Sequence, residues 1–258
     1  MLITRSETGD IMKLFQINGA GELAQKEAMY QTFGVDLSQK QVIAVVGAGG
    51  KTTSIHHLAK ELVSLGKRVV ITTTTHMFLP TEYGVLVEDK NQVLTMLDTN
   101  GLAVVGTPCE GGKMTKVSDS FLEWLQTITD YVLVEADGSK RLPIKVPEKH
   151  EPVLPVNTDL VIVVAGLSCL YRPMEECCHR WKLAMGILEC QQTSRITPAH
   201  VAKLLNVGYC TNLSIPYKIL LNQCESDECQ TAARRIISEL DENHIASEKV
   251  VFGSLLPD

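Results

Sequence analysis

Short unbroken apolar runs recur along the chain and alternate with segments whose apolar residues return every three or four positions. Val42 to Val46, Val69 to Ile71, Leu102 to Val105, Tyr131 to Val134, Ile219 to Leu221 and Val250 to Phe252 are runs of the first kind, and Thr158 to Ala165 reads as another buried strand. Strands without apolar–polar alternation belong to a sheet covered on both faces, as in a parallel sheet between helices. Helical periodicity follows in Ile55, Leu58, Ala59, Leu62 and Leu65, closed by Gly66, and the return strand from Arg68 completes a βαβ unit with a right-handed crossover. Further helices are predicted over Glu22 to Phe33, Asn91 to Leu97, Met174 to Leu188, Thr197-Pro198 to Leu205 and Thr231 to Leu240. Another starts at a Ser120/Glu123 capping box and carries Trp124 and Leu125. Pro143, Pro147, Pro152 and Pro155 make residues 142–156 an extended, irregular segment, and Gly106 to Lys113 reads as a solvated, flexible turn. Met1 to Ile11 reads as a loose end, with Met12 as an alternative start and Gly19 and Gly21 as early breaks.

Composition narrows the class. With 258 residues, 45% hydrophobic and 21% charged, the chain can bury a large α/β core. A net charge of −6 argues against nucleic acid or an anionic membrane as the main partner. The longest apolar run, from Leu160 to Leu167, falls short of the ~20 residues of a membrane-spanning helix, and no secretion signal is visible. The expected location is therefore cytoplasmic. The 8 cysteines show no C-x-x-C spacing and read as free thiols. Cys177-Cys178-His179 makes a poor metal set, because adjacent residues on a helix point in different directions.

The chemistry concentrates where apolar runs end. Val42 to Val46 leads into Gly47-Ala48-Gly49-Gly50-Lys51-Thr52-Thr53, a strand, glycine-rich turn and helix start. Glycines let the backbone close round an anion, helix N–H groups and dipole attract it, Lys51 can reach terminal phosphates and Thr52 can ligate magnesium. The spacing is shorter than the usual four residues between the glycines of a P-loop. Tyr131 to Val134 runs into Glu135-Ala136-Asp137-Gly138-Ser139, the position of a magnesium-binding carboxylate in such proteins. Residues two apart on a strand share a face, so a continued strand would bring both Glu135 and Asp137 to the metal. Lys51, Glu135 and Asp137 are thus the expected catalytic set. Thr74, Thr75 and His76 follow a strand where α/β sheets bind ligands, and Lys145 and His150-Glu151 lie in the proline-stiffened segment; these are candidate substrate or switch residues.

Together these readings predict an α/β fold, a P-loop NTPase-like three-layer sandwich with a mostly parallel sheet and a small helical insert. Residues 1–40 would be an extension packing on the core, 41–165 the P-loop core, 166–216 the insert, and 217–258 strands and a helix completing the core.

The short loop resembles the ATP-binding loop of Mur ligases and folylpolyglutamate synthases. Asn222-Gln223-Cys224-Glu225 resembles the Asn-Lys-x-Asp guanine-reading motif of GTPases, with Gln223 in place of lysine and Glu225 in place of aspartate. The loop, Thr72 to Met77, Glu135 to Ser139, His150-Glu151-Pro152, His179-Arg180, Ile196-Thr197-Pro198 and Leu221-Asn222 together resemble the selenium-dependent hydroxylase accessory proteins, the YqeC-like family, over roughly residues 40–256. The resemblance implies a nucleotide-binding protein, using ATP or GTP with Mg2+, that serves a molybdenum hydroxylase or its cofactor-maturation proteins. His179 and Arg180 join the candidate substrate residues on this ground. Three functions stay open: a magnesium-dependent NTPase, a Mur-like ATP-dependent ligase, and a nucleotide-gated cofactor carrier or chaperone without significant turnover. The sequence is equally compatible with a monomer and a homodimer.

Overall fold

The structure is a computed structural model describing residues 12–18 and 22–255; Met1 to Ile11 and the breaks at Gly19 and Gly21 lie outside the described residues. The chain begins with β1 (Met12–Ile17), β2 (Leu23–Lys26), α1 (Met29–Phe33), β3 (Gln41–Gly47), α2 (Lys51–Ser64), β4 (Val69–Thr73), β5 (His76–Phe78) and β6 (Gly84–Val85). It continues through α3 (Lys90–Asn100), β7 (Leu102–Val105), β8 (Thr107–Cys109), β9 (Lys113–Thr115), α4 (Asp119–Ile128), β10 (Tyr131–Glu135), β11 (Ile144–Lys145) and β12 (Leu160–Gly166). The remainder holds α5 (Met174–Cys177), β13 (Cys178–His179), α6 (Trp181–Leu188), α7 (Pro198–Gly208), β14 (Tyr217–Asn222), α8 (Asp227–Glu242) and β15 (Val250–Leu255).

One sheet runs in the order β2-β1-β15-β14-β12-β3-β10-β4-β7-β6. From β15 to β6 all neighbours are parallel, and the β1–β2 hairpin is added antiparallel at the β15 edge. Alternate residues of each central strand serve opposite layers. Ile43 and Val45 pack with Ile55, Leu58 and Leu62 of α2 and with Phe33 of α1. Ala44 and Val46 share the opposite core with Val201 and Leu204 of α7 and Ile236 of α8, while Val132 and Val134 pack there against Val93 of α3 and Leu125 of α4. The result is a three-layer α/β sandwich. The chain leaves β3 toward β4 on one side and later builds β12 and β14 on the other, so a crevice opens at the carboxyl end of β3, the place such sheets bind ligands.

Several local expectations are corrected. Glu22 to Phe33 is not one helix: Leu23–Lys26 pairs with β1, and the helix is confined to Met29–Phe33. The Gly106 to Lys113 turn is the core of a hairpin, β8–β9, which joins β5 in a separate three-stranded sheet. Gly111 and Gly112 turn it with φ of 74° and 67°, and Met77 and Met114 pair across the strands, both buried. The cap of α4 is Ser118, which accepts the Phe121 N–H, rather than Ser120. The expected Met174 to Leu188 helix breaks where Cys178–His179 pairs with Ile144–Lys145 and Arg180 adopts a left-handed φ of 64°.

The N–H groups of Met29 and Tyr30 at the start of α1 are taken by the Glu61 carboxylate of α2 at 2.9 and 3.0 Å. Replacing Glu61 by alanine leaves these donors without that partner. The expected loss is about 0.5–2 kcal/mol of unfolding free energy, the scale of a lost helix cap, measured by urea denaturation.

Candidate functional site

The carboxyl end of β3 makes a turn only glycine permits. Gly47 has φ of 93°, and a Cβ there would lie 2.1 Å from the Val164 carbonyl oxygen of the neighbouring strand. Gly50 has φ of 122°, and its Cβ would meet the Asn222 amide nitrogen at 2.2 Å. The turn delivers α2 with Gly50 as its N-cap and no side chain capping its first N–H groups. These face a cavity of about 1390 Å³ lined by Gly49 to Thr53. An uncapped helix start on a cavity is an anion site by dipole and by available donors.

Two side chains of this helix start meet acidic groups from β10. The Lys51 amine is buried and donates to the Gly47 carbonyl at 2.8 Å and to Ser139 Oγ at 3.3 Å. It stands 3.3 Å from Asp137 Oδ1 and 3.9 Å from Glu135 Oε1. The Thr52 hydroxyl donates to Glu135 Oε2 at 2.7 Å. Burial raises the Glu135 pKa, with Lys51 and the Thr52 bond opposing the shift. Thr52 and Glu135 thus offer two hard oxygen donors side by side at the cavity wall, a set suited to magnesium.

Asp137 has a different place from the one expected of it. Its carboxylate is fully buried, and Oδ2 accepts the Gly47 N–H and the Tyr209 hydroxyl, each at 3.0 Å. Lys145 lies 3.1 Å from the same oxygen. The chain turns after Glu135, so the two carboxylates do not share an outlook: Glu135 lines the cavity and Asp137 lies behind the loop. Lys145 is likewise no substrate-facing group. Its fully buried amine donates to Glu151 Oε2 and to the Gly138 carbonyl, both at 2.8 Å.

The remaining candidates divide. Thr74, Thr75 and His76 line the cavity at the start of α2, as do His179 and Arg180. Arg180 grips Glu151 with two N–H groups at 2.7 and 2.9 Å and reaches Glu148 at 2.8 Å. Burial, then Arg180 and Lys145 nearby, lowers the His179 pKa. Exposed His150 lines a second cavity of about 1030 Å³, which adjoins the first through Lys140, His179 and Arg180.

Asn222 is almost fully buried, donating to the Gly49 carbonyl at 2.9 Å and accepting the Leu255 N–H at 3.0 Å, so it braces the loop. Gln223 lines the cavity and accepts the Ser168 hydroxyl at 2.6 Å, while Glu225 accepts that of Ser254 at 3.0 Å.

Sequence reasoning missed Tyr209, Phe78, Lys113, Lys140 and Arg141. The adjacent pair Lys140-Arg141, directly after the acidic turn, was the one legible signal; the others reach the site only through folding.

The sequence model of the family described as YqeC protein matches residues 43–182. A protein of Escherichia coli (strain K12), titled uncharacterized protein YqeC, is 36% identical over 147 residues, which is 54% of this chain. The chain spans 57% of that relative's length. Among solved structures, the MinC:MinD cell division protein complex of Aquifex aeolicus is similar at a TM-score of 0.43 and 14% identity, covering 78% of each chain. Chloroplast FtsY from Physcomitrella patens is similar at a TM-score of 0.44 and 14% identity, covering 84% of this chain and 60% of that one.

Glu151 supplies a pH test. Burial acts to raise its pKa, but hydrogen bonds from Arg180 and Lys145 outweigh it and pull the value from 4.5 to about 2. The folded-state pKa lies below the unfolded one, so this stabilisation is complete above about pH 4.5 and disappears as pH falls through 2. Glu151→Gln is expected to flatten that acid limb and to cost about 1.5–3 kcal/mol at neutral pH, read from urea unfolding at a series of pH values.

Proposed function

The chain belongs to the YqeC family, and from that premise we propose that it is a magnesium-dependent nucleoside-triphosphate-binding protein that hydrolyses its nucleotide. The observation carrying this reading is the convergence of the uncapped start of α2, Lys51 and the Thr52–Glu135 pair on one cavity. The loop N–H groups bind phosphate oxygens. Lys51 exchanges the Gly47 carbonyl for the terminal phosphates, where its charge offsets what develops as the phosphoryl group leaves. Thr52 and Glu135 hold magnesium, which supplies charge neutralisation at the phosphates when bound. Asp137 acts as a positioning residue, fixing the loop through the Gly47 N–H and keeping a compensating charge near Lys51. Service to a selenium-dependent molybdenum hydroxylase, or to its cofactor-maturation proteins, rests on the family resemblance alone.

Base selection is weak in this reading. Both ends of the Asn222 carboxamide are engaged by Gly49 and Leu255, leaving it one N–H to offer a base. No lysine follows it to pack over the ring.

Two measurements test the site. Lys51→Ala and Thr52→Ala are expected to weaken triphosphate binding about tenfold or more, a change of about 1.4 kcal/mol, in equilibrium titrations. Glu135→Gln should lower turnover about 10²-fold or more with the melting temperature preserved, since it removes a buried charge from the cavity wall. Asp137→Asn should instead lower the melting temperature as well, because Lys145 and Lys51 lose a buried counter-charge. Unchanged affinity in both loop variants would sink the phosphate site.

For the base, ATP and GTP are expected to compete within about tenfold of each other, with Glu225→Ala leaving the ratio unchanged. A much larger preference for GTP that closes in Glu225→Ala would show guanine reading.

A further inference from the structure

The cavity of about 1390 Å³ exceeds the roughly 300–1,000 Å³ usual for a small-ligand site. Gln223 follows β14 and Phe78 lies five residues beyond the end of β4; β14 and β4 stand on opposite sides of β3, and both residues line the cavity. The Phe78 end lies beyond the phosphate loop and is walled by the β5–β9–β8 flap and by the turn that follows β10.

Phe78 is 47% exposed there, and two cations stand over its ring, Arg141 at 4.3 Å and Lys113 at 5.5 Å from the centroid. The ring holds the ends of two otherwise mobile side chains in place. It also brings like charges together, which is unfavourable unless an anion joins them. Among the described residues, neither these two cations nor neighbouring Lys140 forms a salt bridge. Lys140 and Arg141 are both held in left-handed backbone, with φ of 50° and 62°. Such strain in consecutive non-glycine residues is unfavourable and gathers at ligand sites. Thr75, on the same cavity wall, has a buried hydroxyl with no hydrogen-bond partner. Glu110 is the acidic residue of the flap that lines this cavity.

We propose that this end of the cavity binds a second substrate, a small molecule carrying a carboxylate or phosphate group, between Lys113, Lys140 and Arg141. The anion relieves the repulsion between the gathered cations and lies in the same cavity as the nucleotide's terminal phosphate. The proposal rests on the nucleotide reading and gives that site a co-substrate class.

The test is calorimetric titration of the protein saturated with magnesium and a non-hydrolysable triphosphate analogue. The probes are succinate, glycerol 3-phosphate and, as an uncharged control, glycerol. One or both anions should bind saturably and glycerol should not. Binding of succinate alone identifies a carboxylate site, and of glycerol 3-phosphate alone a phosphate site. Arg141→Gln and Phe78→Ala should each weaken the anion about tenfold, the loss of one charge-assisted contact or of its support, with triphosphate affinity held within about twofold. Phe78 is exposed, so its variant tests the site with the core intact. Absence of saturable binding by either anion, equal binding of glycerol, or wild-type anion affinity in Arg141→Gln overturns the proposal. Should the triphosphate analogue itself fail to bind, the nucleotide reading falls on its own titration, and the same anion series on the nucleotide-free chain decides this site separately.

Discussion

Asp137 carries a charge with no solvent exposure, and an unpaired carboxylate in that position would cost several kcal/mol. Its partners come from distant parts of the chain: the Gly47 N–H of the glycine turn, Lys51 of the first turn of α2, Lys145 of the proline-rich segment and Tyr209 beyond α7. Each partner is therefore held to the others through one atom group. The loop's shape, the outlook of Lys51 and the placing of Tyr209 are tied together through this carboxylate. A hydrogen-bonded buried charge of this kind gives up stability relative to an apolar core and gains a fixed arrangement, because moving any partner exposes the penalty.

The charges beyond it alternate in sign. Lys51, Asp137, Lys145, Glu151, Arg180 and Glu148 form a continuous series from the start of α2 to the rim of the second cavity. Exposure rises along it, from side chains at 0% in Lys145 to 47% in Glu148, so solvent screening weakens the outer links most. Helices α5 to α7 also share one hydrophobic core with β12 and β14, including Ala184, Ile196 and Val201 packed with Val161 and Ile219. Apolar packing and the ion series thus bind the insert to the site by independent means.

Two thiols near this junction, Cys177 and Cys178, are buried. Burial raises Cys177 to about 11 and Cys178 to about 12, so both are protonated thiols at neutral pH.

What the sequence by itself determined is whatever depends on neighbours along the chain. The apolar runs marked the buried parallel strands, because period and β-branching act within a few residues. Gly47 to Thr53 marked the glycine turn and the start of α2, because the backbone there needs residues without a Cβ at the strand's end. Glu135 was legible as a carboxylate at a strand end. The roles of Asp137 and Lys145 were not, since the turn after Glu135 and the pairing of Ile144–Lys145 with Cys178–His179 decide which side of the loop each charge faces. Nor was the flap: three-residue strands such as Lys113–Thr115 carry too little period to read, and it is Met77 against Met114 in the folded core that gives them a buried side. Asn222 shows the same division most plainly. Its place at the end of a strand was written in the sequence, whereas its work of bracing Gly49 and Leu255 arises from β15 beside it and the turn after β3 beyond β12, a proximity only the tertiary fold creates.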